Sequence, residues 1–179
     1  MLAQGSRRLY ECIVLSKPSS SQMWVGHWLL GILFYLAINI ATFMEGIPTL
    51  QQEPPTISHL RIVAPTFRTI ACVPIFLMAS GTQYDCHVYL ASLKKYTLPQ
   101  HPAFQSIVCP HYLAECVIYL ALALIAAPQG HWINGTIFSA LCFVVVNLGV
   151  TAKGTKEWEA EKFGLGNVKG KWRMVPFLW

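Results

Sequence analysis

Cys109-Pro110-His111-Tyr112-Leu113-Ala114-Glu115 opens a long apolar run that ends near Ala127. Proline suits the first turn of a helix, where its missing N–H costs nothing. His111 and Glu115 then stand one turn apart on one face. An imidazole and a carboxylate so placed can hold or pass a proton. If the helix crosses a bilayer, the acid lies where desolvation is costly, and an intramembrane carboxylate is a functional hypothesis. A plainer reading stays open, with Glu115 at the water interface favouring the positive end of its helix.

Three other polar groupings accompany this pair. They are Arg7-Arg8-Leu9-Tyr10, the set Gln83, His87 and Lys94 at i, i+4 and i+11, and the line Asn147, Thr151, Thr155 with Lys156 beside it. Singly each has an ordinary explanation. Basic residues at membrane ends attract anionic headgroups, and an asparagine in a span hydrogen-bonds a neighbouring helix. Together they predict a polar cavity opening to the cytosol, with cations for phosphates and the His/Glu pair for proton or hydrogen-bond contacts.

Cys86, His87, Cys109 and His111 have zinc-ligand chemistry, but adjacent ligands seldom converge on one tetrahedron, so no metal is expected. Asn134-Gly135-Thr136 is a glycosylation sequon at the very start of a span and is read as fortuitous. No GxGxxG or P-loop pattern occurs, and nothing points to nucleic acid.

The elements that must position these groups follow from composition. The 179 residues are 54% hydrophobic and only 12% charged, with mean hydropathy +0.45. Soluble domains carry about 25% charged residues, so the chain reads as an all-α polytopic membrane bundle in one domain, 1–179. Six cysteines without CxxC spacing argue against a disulfide framework. Residues 1–8 lack the apolar core of a signal peptide.

About four spans are predicted, near 24–43, 62–81, 112–127 and 132–151, with a charged tail over 152–179. A helix through Tyr10-Glu11-Cys12 precedes the first, and Ser16 to Ser21 breaks it. A polar connection from Glu45 to His59 holds Pro48, Pro54 and Pro55. The second span carries Pro65, Arg68 and Pro74, which predicts kinks or a partly re-entrant path, with Arg68 free to snorkel. Pro128-Gln129-Gly130-His131 reads as a tight turn, and Lys156 to Lys162 as a short solvated helix. With alternating spans, Arg7, Arg8, Lys17, Lys94, Lys95 and the tail cations share one side, and Arg61 and Arg68 the other. The positive-inside rule then puts both termini in the cytosol.

Four stretches carry a resemblance: Arg7-Arg8-Leu9-Tyr10-Glu11-Cys12, Cys86 through Lys95, Pro110-His111-Tyr112-Leu113-Ala114-Glu115, and the closing Val175-Pro176-Phe177-Leu178-Trp179. In this order they resemble the steroid 5-alpha-reductase family, most closely its polyprenol-reducing branch. The resemblance implies a multi-pass endoplasmic reticulum membrane enzyme using NADPH to saturate the α-isoprene double bond of polyprenol or polyprenal, a step of dolichol synthesis that feeds protein N-glycosylation. It implies a cofactor pocket of Arg8, Gln83, His87, Lys94, His111, Glu115, Lys156 and Lys171, with Glu115 and Tyr10 as the acids to test for catalysis. Glu159 stands where relatives carry a tyrosine, so that contact is not transferred. Family members have further helices before the arginine pair, so the chain resembles their C-terminal part. The alternative is a non-catalytic or fragmentary member that binds lipid or a partner. A methyltransferase of similar helical architecture is disfavoured by the Pro110–Glu115 stretch.

Overall fold

The computed structural model describes residues 2–17, 24–52, 56 and 64–178. Among these, five α-helices follow one another: α1 Leu2–Val14, α2 Val25–Gln52, α3 Phe67–Ser92, α4 Pro110–Ile125 and α5 Gly135–Phe163. There is no strand among the described residues, only an isolated parallel bridge between Ile107 and Trp172. The chain is an all-helical membrane protein. Val25–Pro48 and Gly135–Phe163 are long and apolar enough to cross a bilayer. The apolar stretch of α2 is only 6% buried within the chain, so its surface faces outward as a lipid-facing helix does. α4 is apolar but short, at 16 residues, and α3 interrupts its apolar face with Arg68, Asp85 and His87. Two of the four predicted spans therefore qualify on length and composition, and the other two helices pack beside them.

α3 lies along α4, and α4 packs on α5, which α2 also touches. Small residues permit this approach: Ala114, Ala121, Ala123, Ala140 and Ala152 are all buried. Three helix starts are marked in the sequence. Thr66 accepts from Thr69 N at the head of α3, Asn134 Oδ1 accepts from Ile137 N at 2.9 Å before α5, and Pro110 takes the first position of α4. Arg68 does not snorkel to solvent alone. Its guanidinium donates to Leu124 O at 3.3 Å and His131 O at 3.0 Å, satisfying carbonyls at the far end of α4 and in the following turn. That turn has Gly130 at φ 79°, as the Pro-Gln-Gly-His pattern requires.

Four expectations need correction. α2 does not stop at Glu45: it runs through Pro48 to Gln52, because the Glu45 carboxylate accepts from Asn134 Nδ2 at 3.0 and 3.1 Å and holds the last turns against the α4–α5 turn. α3 does not end near Gly81 but continues to Ser92, and Leu93 then turns to extended backbone. The fourth span and the tail helix are one helix of 29 residues, with Glu159 buried at 5% exposure. The rest of the tail is not loose either. Val108 N donates to Trp172 O at 2.8 Å and Cys109 N to Arg173 O at 3.0 Å, while Val168 and Met174 are buried against α4 and α5. Pro18 to Ser21, Pro54, Pro55, His59, Arg61 and Ile62 lie outside the described residues.

Candidate functional site

The polar groups meet where α1 crosses the cytosol-predicted half of α3. Gln4, Arg7 and Glu11 recur at i, i+3 and i+7, which makes one stripe of α1. Arg7 hydrogen-bonds Gln83 Oε1 and pairs with Glu11, and Gln83 Nε2 in turn donates to the Glu115 carboxylate. Gln4 adds a bond from its Nε2 to Gln83 Oε1 at 3.2 Å and accepts from Ser80 at 3.2 Å. One turn further along α3, His87 Nδ1 lies 2.8 Å from Glu11 Oε2 and 2.9 Å from Arg8 Nη1, and Arg8 also pairs with Glu11. A buried carboxylate among two guanidiniums and an imidazole is compensated, as a dry site demands. Burial alone would raise the Glu11 pKa, but the hydrogen bond with His87 and the Arg8 charge outweigh it and hold the carboxyl below its ordinary value.

Two cavities flank this network. One, of about 180 Å³, is walled by Arg8, Gln83, His87, Glu115 and Asn147 with the rings of Phe34 and Tyr119. The other, of about 610 Å³, lies between α1, α2 and α4 against Leu9, Ile38, Ile118 and Leu122. Arg8, Glu115, Tyr35 and Tyr119 line both. A polar chamber and an apolar one thus share a wall that carries a cation, a carboxylate and two phenols.

Of the sequence-predicted site residues, Arg8, Gln83, His87 and Glu115 converge here. His111 stands behind them, its ring 5.5 Å from that of His87 and 6.2 Å from that of Phe104, and its buried Nδ1 has no partner among the described residues. Lys94 is a correction: it follows the end of α3, so it is not on the Gln83/His87 stripe, and it is exposed and outside both cavities. Lys156 and Lys171 come together instead with each other, Lys156 Nζ donating to the Lys171 carbonyl, and neither lines either cavity. Tyr10 is 52% exposed on the outer side of α1 and is likewise outside both. Asn147 reaches the polar cavity, whereas Thr151 and Thr155 return their hydroxyls to carbonyls one turn back in α5. The Asn134 side chain is buried and committed to Glu45, in keeping with an unused sequon. Among the described residues no cluster of three His, Cys, Asp or Glu side chains has metal-holding geometry.

Sequence reasoning missed Glu11, Tyr119 and Tyr35. Glu11 was readable as the i+4 and i+3 partner of the arginine pair, and Tyr119 as the next turn after Glu115. Tyr35, in an unbroken apolar stretch of α2, carried no signal.

Residues 56–179 match the family of 3-oxo-5-alpha-steroid 4-dehydrogenases. The chain is 34% identical over 177 residues to a Saccharomyces cerevisiae protein named polyprenal reductase, covering 96% of this chain and 60% of that one. It is 26% identical to polyprenal reductase 2 of Oryza sativa subsp. japonica, over 99% of this chain and 57% of the relative, and 26% identical to the Xenopus tropicalis polyprenal reductase, over 96% and 56%. The chain thus spans somewhat under two thirds of the length of these relatives. No solved structure matches. The match over α3 to α5, with a third of all residues identical to the yeast relative, shows that the chain belongs to the steroid 5-alpha-reductase family.

Proposed function

We propose that the chain forms the cofactor chamber, and part of the lipid chamber, of an NADPH-dependent oxidoreductase. Its substrate in this reading is polyprenal, or the corresponding polyprenol, whose α-isoprene double bond is saturated on the way to dolichol and N-glycosylation. The observation that carries the reading is the wall of Arg8, Glu115, Tyr35 and Tyr119 common to a polar and an apolar cavity. A reductase of lipid alkenes needs such a wall, because the reacting carbon must meet a polar donor while its prenyl tail stays in apolar surroundings.

The residues fit the reactive end of a nicotinamide cofactor. The polar cavity, at about 180 Å³, is smaller than the ~300 Å³ at which drug-sized sites begin, so it suits a single ring. Phe34 and Tyr119 offer flat apolar surface, and Gln83, His87 and Asn147 offer hydrogen bonds at its edge. Bound there, NADPH would supply a hydride. The chain's own tasks are to orient and to handle the proton. Gln83, held by Arg7 and Glu115, cannot rotate its amide without breaking both bonds. Arg8, Tyr35 and Tyr119 border the apolar cavity, and the guanidinium and phenol hydroxyls are the donors there that would serve a substrate oxygen as negative charge grows on it. Chemistry favours the aldehyde, since its carbonyl accepts the charge displaced from the β-carbon and an allylic alcohol has no such sink. In this reading the home membrane is the endoplasmic reticulum, and the basic residues of α1, the end of α3 and the tail support a cytosolic face for this end of the bundle under the positive-inside rule.

A second reading, lipid binding without turnover, draws on the apolar cavity being the larger of the two. One assay separates them. The 179-residue chain and a version extended upstream in its reading frame are placed in microsomes with polyprenal and NADPH, and dolichal is followed by mass spectrometry. Turnover by either supports the reductase, and turnover by the extended form alone confines this chain to the cofactor side. Well-inserted protein that binds polyprenal but is silent in both forms refutes it.

A further inference from the structure

Glu11 is 3% exposed, touches neither the polar nor the apolar cavity, and yet contacts the ring nitrogen of a residue that lines the polar one. We propose that Glu11 is a positioning residue that fixes the tautomer of His87, so that Nε2 faces the polar cavity as a hydrogen-bond acceptor.

The argument turns on two short contacts at one atom. His87 Nδ1 is 2.8 Å from Glu11 Oε2 and 2.9 Å from Arg8 Nη1. A neutral imidazole nitrogen either donates or accepts, so it satisfies one of these and opposes the other. Accepting from Arg8 would set its lone pair against a carboxylate oxygen. That oxygen belongs to a side chain that is 3% exposed and tied to both arginines; Glu11, Arg8 and His87 also border a third, open cavity, but turning into it would break those pairs. Donating to Glu11 sets an N–H against the Arg8 guanidinium, which is 40% exposed, pairs with Glu11 as well, and can aim its remaining donors at water. The second arrangement costs less. Two arginines already neutralise Glu11, so the imidazole needs no charge of its own.

With Nδ1 protonated, Nε2 carries the lone pair, and among the described residues nothing bonds it. His87 lines the polar cavity, so a ligand there must bring an N–H or O–H to it. Given the cofactor reading above, on which this identification of the ligand rests, that donor is the primary carboxamide of a nicotinamide ring. Glu11 then selects the ligand without touching it, through the ring it orients. This is the logic by which a carboxylate behind a histidine sets which nitrogen is free.

The test reads the tautomer directly. The full chain, labelled with 15N at its six histidines, is reconstituted in bilayers without ligand, and His87→Gln identifies the His87 resonances. Nitrogen shifts of an Nδ1–H, Nε2-bare ring support the assignment, and an Nε2–H ring or an imidazolium at pH 7.5 overturns it. In Glu11→Ala the ring is expected to revert to the Nε2–H form that free imidazole side chains prefer, and an unchanged tautomer removes Glu11 from the role. Should Glu11→Ala fail to insert, the wild-type spectrum still decides. The donor is read separately, by comparing binding of NADPH with that of its 3-acetylpyridine analogue, in which a methyl replaces the amide nitrogen. Wild type is expected to prefer the carboxamide, with the preference collapsing in His87→Ala. A preference that survives His87→Ala overturns the acceptor role. If neither dinucleotide binds, the cofactor reading fails, and the tautomer alone judges Glu11.

Discussion

Removing Glu11 should release α1 from the bundle. α1 touches α3 and little else, and the bonds across that contact all run through Gln4, Arg7, Arg8 and Glu11. Glu11→Ala takes the paired carboxylate from Arg7, which is 19% exposed and keeps only its bonds to Gln83 and Gln4, and leaves the Nδ1 of His87 without its partner. Breaking a buried pair by deleting one partner costs about 3–5 kcal/mol. Arg8, at 40% exposure, regains water at little cost, so the lower part of that range must be discounted to about 2–3 kcal/mol. That is a shift of roughly 30- to 140-fold of α1 toward the undocked state, taking about 1.4 kcal/mol per factor of ten. Undocking presents the Arg7-Arg8 bonds to protease, so the assay is limited trypsin digestion of the inserted protein, with cleavage after Arg7 or Arg8 timed by mass spectrometry. Glu11→Gln, which keeps an acceptor but loses the charge, should fall between wild type and Glu11→Ala. The same contact must weaken in acid. Because the folded Glu11 pKa lies below the ordinary 4.5, its contribution is complete above about 4.5 and is lost as pH drops through the lower folded value. Cleavage in wild type, read with an acid-active protease, should therefore accelerate only below that point. Equal cleavage times for wild type and Glu11→Ala would refute the view that this carboxylate docks the helix.

Four other outcomes are expected. Glu115→Gln should raise the NADPH Michaelis constant about tenfold by turning a charge-assisted bond to Gln83 into a neutral one, with insertion unchanged; identical kinetics would return Glu115 to a purely interfacial role. Lys94→Ala should leave the ratio of NADPH to NADH Michaelis constants as it is, since Lys94 is exposed beyond α3, and a selective loss of NADPH use would contradict that placement. Arg68→Ala should lower thermal stability by about 1–2 kcal/mol through the freed carbonyls of Leu124 and His131, without altering cofactor affinity. Asn134→Ala should cost about 1 kcal/mol or more by uncapping α5 and releasing Glu45, while wild-type protein from microsomes should show no mobility change on endoglycosidase treatment.

The helices were legible because their signals are local. Pro110 at a first turn, Gly130 in a tight turn and the first and fourth apolar runs each fix a short piece of chain and stand as read, whereas the second and third runs do not qualify as spans on length and composition. The misread ends share one cause. Glu45, Gly81 and Thr151 look like boundaries when judged by composition, yet the helix passes through all three. What carries it onward is tertiary: Asn134 reaching Glu45, α4 packed along α3, and the tail folded under α5. The site divides in the same way. Gln83 and His87 are picked out because they stand one turn apart on α3, and Glu115 because it stands one turn from His111 on α4; that the two helices bring them together is tertiary. Lys94 leaves the Gln83/His87 stripe because that spacing counts across the helix end at Ser92.

The partition between the two cavities explains why the charged groups crowd one helix face. Glu115 and Arg8 stand on the common wall, where an apolar chamber would make any unpaired charge costly. Each is compensated from the side away from that chamber: Glu115 by Gln83, and Arg8 by Glu11. The compensating groups are themselves locked, Gln83 by Arg7 and Glu11 by His87. A network closed in this manner leaves Arg8 and Glu115 facing the apolar chamber only as paired groups, and leaves His87 Nε2 unspent beside the polar one. Breaking it at Glu11 should therefore loosen α1 and alter the ligand preference of the polar cavity together, whereas Asn147→Ala, outside the network, should alter the second without the first. Trypsin timing and dinucleotide binding on the same two variants would separate these effects, and parallel changes in both variants would mean that the cavity is not controlled by the network at all.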